Sequence, residues 1–72
     1  MSKTIYSKEH QFLVAQLRKA RKEAGLDQKE VAKLLGKTQS YVSKIESGQR
    51  RIDIIQIKEF ARIYKKGLDF FI

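Results

Sequence analysis

The chain has 72 residues, 42% hydrophobic and 33% charged, with no Cys and no Pro. A chain this short holds one small domain, excludes a multidomain enzyme, and hides only about 60% of the surface its unfolded form exposes, so it needs well-made helices or self-association to be stable. Sixteen Lys and Arg against eight Asp and Glu give a net charge of +8 and a pI near 10.0, which favours a polyanionic partner, nucleic acid ahead of anionic membrane.

The four glycines, at 25, 36, 48 and 67, punctuate the chain as ends of short helices. Residues 1–7 lack periodicity and read as a loose arm, with Ser7 the N-cap of a first helix over about 8–24. Leu13, Leu17, Ala20 and Ala24 form its apolar stripe, flanked by Phe12, and its other faces are basic. Asp27 with Glu30 three residues later is a capping box, and Val31, Ala32, Leu34 and Leu35 make a second helix that stops at Gly36. Thr38 caps a third helix that has Tyr41, Val42 and Ile45 on one side and Gln39, Ser40, Ser43, Lys44 and Ser47 on the other, ended by Gly48. Asp53 and Gln56 form another capping box, opening a fourth helix that runs to about Tyr64. Its apolar residues, Ile54, Ile55, Ile57, Phe60, Ala61, Ile63 and Tyr64, exceed one stripe, so a second face must be covered. Leu68, Phe70, Phe71 and Ile72 end the chain as an apolar stub that either packs on helices one and four of its own subunit or joins a dimer. The expected fold is all-α, a bundle of four to five helices over residues 8–72.

The charge is spread through that body. Residues 1–36 carry eight basic and four acidic groups and residues 37–72 carry the same, so no basic tail accounts for it. The longest apolar run, Phe12-Leu13-Val14-Ala15, is far shorter than the ~20 residues of a membrane span or the ~7–15 of a signal-peptide core. The expectation is a cytoplasmic protein of bacterial or phage type, associated with the nucleoid and not with a membrane.

Residues 26–47, LDQKEVAKLLGKTQSYVSKIES, place two capped helices around Gly36, Lys37 and Thr38, which is a helix-turn-helix over about 27–47. Gly36 supplies the left-handed residue that the tight turn needs, and Ala32 is small enough for a close crossing. In Gln28, Ala32, Gly36, Ser43, Glu46 and Gly48 the sequence resembles the phage repressor and Cro-type helix-turn-helix family, without a gap from about residue 18 to 72. It departs from the family pattern after helix four, where Lys65 stands in place of the usual Gly and Gly67 follows two places later. The resemblance implies a lambda-repressor-like fold, binding to double-stranded DNA, and an ion pair between Arg21 on the first helix and Glu46 at the end of the third, with Arg21 also near a phosphate.

The residue chemistry is consistent with this. A major groove about 12 Å wide admits one α-helix, and that helix must present hydrogen-bonding side chains to base edges while its other side stays packed. On helix three, Gln39 can pair with adenine, Lys44 can reach guanine, and Ser40 and Ser43 can donate or accept; these four are the candidate base readers. Gln28, Lys37, Tyr41, Ser47, Gln49 and Arg50 are candidate phosphate contacts at the flanks of that helix. Each has a plainer reading, as solvated surface or, for Tyr41, as packing.

Arg18, Lys19 and Lys22 read as a solvated face, and His10 as a surface residue with no second ligand for a metal. Asp53, Glu59 and Asp69 read as two caps and a surface charge, and no nucleophile has a base partner, so neither catalysis, a metal nor a cofactor is expected. The expected role is a sequence-specific transcriptional regulator of repressor type, a homodimer on an inverted-repeat operator. The alternative is an antitoxin or adaptor that uses the same fold to hold a protein partner.

Overall fold

The computed structural model describes residues 7–72, so residues 1–6 of the expected arm lie outside the described part. Four helices follow one another: α1 Lys8–Glu23, α2 Gln28–Leu35, α3 Gln39–Glu46 and α4 Ile54–Tyr64. A 3-10 turn, Leu68–Phe70, closes the chain, and there is no strand among the described residues.

Each helix starts where side-chain chemistry satisfies its free N–H groups. The Ser7 hydroxyl accepts from the His10 N–H at 3.1 Å, and the Thr38 hydroxyl accepts from the Tyr41 N–H at 3.1 Å. Both capping boxes close in both directions. Asp27 accepts from the Glu30 N–H at 2.7 Å while Glu30 accepts from the Asp27 N–H at 2.9 Å. Asp53 and Gln56 repeat the pattern at 2.8 and 2.9 Å. Of Asp53, Glu59 and Asp69, only Asp53 caps a helix, since the 3-10 turn has no side-chain cap.

The helices end alike, with a left-handed residue that, together with the residue after it, returns two N–H groups to the last turn. Gly25, Gly36 and Gly48 take that conformation after α1, α2 and α3. After α4 it falls to Lys65, at φ 58°, with the Lys66 N–H donating to the Ala61 carbonyl at 2.9 Å. The chain therefore keeps the turn without the glycine, at a steric cost of about 1–2 kcal/mol.

Leu17, Ala20, Val31, Val42 and Ile45 are fully buried, joined by Phe60, Ala61, Tyr64 and Phe71. The α1 stripe differs at both ends from the periodic reading. Val14 is buried, whereas Phe12 is half exposed and Ala24, the residue that follows α1, is exposed. On α4 the inner face is Ile57, Phe60, Ala61 and Tyr64, while Ile54 and Ile55 remain exposed. The terminal stub divides residue by residue: Phe71 enters the core, Leu68 and Phe70 pack at its edge, and Ile72 is 70% exposed. Gln16 holds the stub against α1 by donating to the Phe70 carbonyl at 2.8 Å. His10 is half-buried, not superficial, with its Nε2 out of reach of any hydrogen-bond partner among the described residues.

Candidate nucleic-acid interface

At 3.6 residues per turn, successive side chains on α3 are about 100° apart, which sorts its eight residues into two opposed arcs. Gln39, Ser43, Ser40 and Lys44 fall within about 140° of one another, and all four are exposed. Tyr41, Ile45, Val42 and Glu46 fill the opposite arc; the last three are buried and Tyr41, at the border, is half-buried. One short helix thus carries an exposed polar face and an inner face that is buried except at Tyr41 on its edge.

Glu46 anchors the inner face. It is 2% exposed and sits at the C-terminal end of α3, where the helix dipole disfavours a negative charge. Donors from the two preceding helices compensate. Arg21 Nε of α1 lies 2.8 Å from one carboxylate oxygen and Gln28 Nε2 of α2 donates to the other at 3.0 Å. Arg21 also donates to the Leu26 carbonyl at 3.0 Å, tying in the α1–α2 loop. The hydrogen bond to Glu46, opposed by burial and aided by the carboxylate charge, holds the Arg21 guanidinium above the ordinary arginine range. Nearby, burial first and the Glu46 charge second push the Tyr64 phenol well above its usual titration range, with Arg21 opposing. The Tyr64 hydroxyl is buried with no hydrogen-bond partner among the described residues.

Two side chains have duties that the sequence reading did not give them. Arg18 stays exposed, as a solvated face requires, and in addition donates to the Glu46 backbone carbonyl, so it also serves this junction; its spacing of three from Arg21 was the available signal. The Gln28 carboxamide turns inward to Glu46, which leaves one amide hydrogen and the start of α2 for an outside anion.

The flank is organised around Tyr41. Lys37 Nζ lies 5.4 Å from its ring centre and the Arg50 guanidinium carbon 4.9 Å, so cations from the chain before and after α3 meet on one aromatic ring. The Tyr41 hydroxyl accepts from Gln56 Nε2 at 2.8 Å. Ser47 and Gln49 are exposed at the far end, where the Ser47 hydroxyl donates to the Lys44 carbonyl at 3.1 Å and the Gln49 N–H donates to the same carbonyl at 3.0 Å.

Leu68, Phe70, Phe71 and Ile72 lie apart from this surface, on the terminal stub. Lys66 Nζ is 4.7 Å from the Phe70 ring centre and pairs with Glu23 at 2.8 Å. Phe12, Ile52 and Ile72 line a cleft of about 600 Å³ with Leu13, Phe71 and the half-buried His10. Among the described residues no cluster of His, Asp and Glu could hold a metal ion, and no helix is long and apolar enough to cross a membrane.

Two short helices around a glycine turn, one locked inward and presenting polar side chains outward, define a DNA-binding helix-turn-helix protein. The helix-turn-helix family model matches residues 17–71, and the chain belongs to that family, of the Cro/C1 type with a lambda-repressor-like fold. Proteins of this family are DNA-binding transcription regulators. No curated protein matches the chain.

Proposed function

We propose that the chain is a repressor-type regulator that binds an inverted-repeat operator as a homodimer, with α3 in the major groove of each half-site. Gln39, Ser40, Ser43 and Lys44 read base edges, and Gln28, Lys37, Tyr41, Ser47, Gln49 and Arg50 hold the phosphates on either side. The observation that carries this is the division of α3 into opposed arcs, since polar side chains exposed together on one face are available to bases. The dimer draws support from apolar side chains left in solvent, Ile54 and Ile55 on α4 and Phe12 and Ile72 beside the terminal cleft.

Selection of bound sites from random duplex DNA tests the reading. The expected product is an inverted repeat with half-sites one turn apart, about 34–36 Å. If a dimer neutralises about 6–10 phosphates, affinity falls about 10³- to 10⁵-fold between 50 and 200 mM salt. Recovery of no preferred sequence, or a response flat in salt, overturns sequence-specific binding; sedimentation as a monomer on the selected DNA overturns the dimer.

A further inference from the structure

Tyr41 is at the border between the two arcs of α3, the place from which a side chain reaches the wall of a groove and not its floor. Its hydroxyl has one proton and two lone pairs, and what it can offer an outside group depends on which of these the protein already uses. Gln56 settles that. Its Oε1 accepts the Asp53 N–H at 2.9 Å as half of the α4 capping box, so the carboxamide cannot turn over without breaking the cap. The NH₂ end therefore faces Tyr41, 2.8 Å from the hydroxyl oxygen. One lone pair of Tyr41 is occupied, and among the described residues no acceptor takes its proton.

We propose that Gln56 is a positioning residue for DNA: by donating to Tyr41 it turns the tyrosine hydroxyl into a dedicated donor to a backbone phosphate. This assignment rests on the DNA-binding reading above. A non-bridging phosphate oxygen only accepts, so an oriented O–H suits it, and Lys37 and Arg50, both within 6 Å of the ring centre, bring two positive charges to the same spot. A residue that serves as a helix cap thereby also sets the direction of a hydrogen bond at the DNA surface. The α4 cap and the DNA backbone are linked through one carboxamide and one phenol.

Gln56→Glu separates the two roles. Glu is a native capping-box residue at that position and keeps the acceptor for Asp53, but it has no N–H, so the Tyr41 hydroxyl must donate to it and is lost to phosphate. The test is a double-mutant cycle of Gln56→Glu and Tyr41→Phe, read by titration of a labelled random-sequence duplex of about 30 base pairs at roughly 50 mM salt. Gln56→Glu is expected to keep the wild-type melting temperature to within a few degrees and to weaken binding about tenfold. Tyr41→Phe should weaken it several-fold. In the Tyr41→Phe background the Gln56→Glu effect should shrink at least threefold, because only the through-space effect of the new charge remains. An equal effect of Gln56→Glu in both backgrounds overturns the positioning role while leaving DNA binding intact. Failure of the wild-type chain to bind the duplex overturns the DNA-binding reading and this assignment with it.

Discussion

The two arcs of α3 are built from the same eight residues and obey opposite rules. On the inner arc every polar atom of the Glu46 side chain is engaged, by Arg21 of α1 and Gln28 of α2, and Arg18 takes the Glu46 carbonyl. On the outer arc Gln39, Ser40, Ser43 and Lys44 are all exposed. The difference teaches that position and presentation are separable here: the inner arc decides where the helix lies, and the outer arc, left exposed, is the one that meets the bases in the function proposed above.

The sharpest way to break this separation is to remove the anchor. Glu46→Ala strands the Arg21 guanidinium, whose side chain is only 14% exposed, and is expected to cost about 3–5 kcal/mol in urea unfolding. In a chain this small that approaches the whole stability, so Glu46→Gln provides a milder measurement. A cycle with Arg21→Ala that shows no coupling would refute the anchoring role. Substitution on the outer arc should do the reverse. Lys44→Ala and Gln39→Ala are each expected to lose about 1–3 kcal/mol of discrimination at the selected operator while stability changes by no more than about 0.5 kcal/mol. A comparable loss of stability would show that the outer arc has a packing duty after all.

A smaller effect comes from Tyr64, whose buried phenol on α4 feels the Glu46 charge. Its folded-state phenol titrates above the unfolded one, so its contribution is complete below about pH 10 and is lost as the pH rises beyond, at about 1.4 kcal/mol per pH unit. Tyr64→Phe should lack that part of the alkaline slope, as urea titrations at pH 9 and above would show. The smallest change is expected at the end of α4, where Lys65→Gly removes the left-handed strain and should raise stability by about 0.5–1 kcal/mol in thermal melts, with no effect on DNA.

The helix starts were legible in the sequence because capping is local chemistry: Asp27 with Glu30, and Asp53 with Gln56, name their own partners three residues away. The same holds for Gly25, Gly36 and Gly48 as helix ends, each at a positive φ. Lys65 was not legible as an equivalent end, since a non-glycine residue takes a left-handed conformation only when the packing around it demands that turn. The outer arc of α3 follows from periodicity alone. The wiring of the inner arc does not, because Arg18, Gln28 and Glu46 meet only after three helices have docked. Periodicity likewise gives the terminal stub four apolar residues without saying that Phe71 alone enters the core and Ile72 stays in solvent. Gln56 was visible as a cap, but its second bond crosses from α4 to Tyr41 on α3.

Among the described residues, the side-chain ties that fix α3 reach it through Glu46, Val42, Ile45 and, at the edge, Tyr41. Positions 39, 40, 43 and 44 are therefore free to vary without renegotiating the interior. A library that varies those four sites among helix-compatible residues should fold almost throughout, and under the proposed function new operator preferences should be reachable one substitution at a time, with target diverging while architecture is conserved.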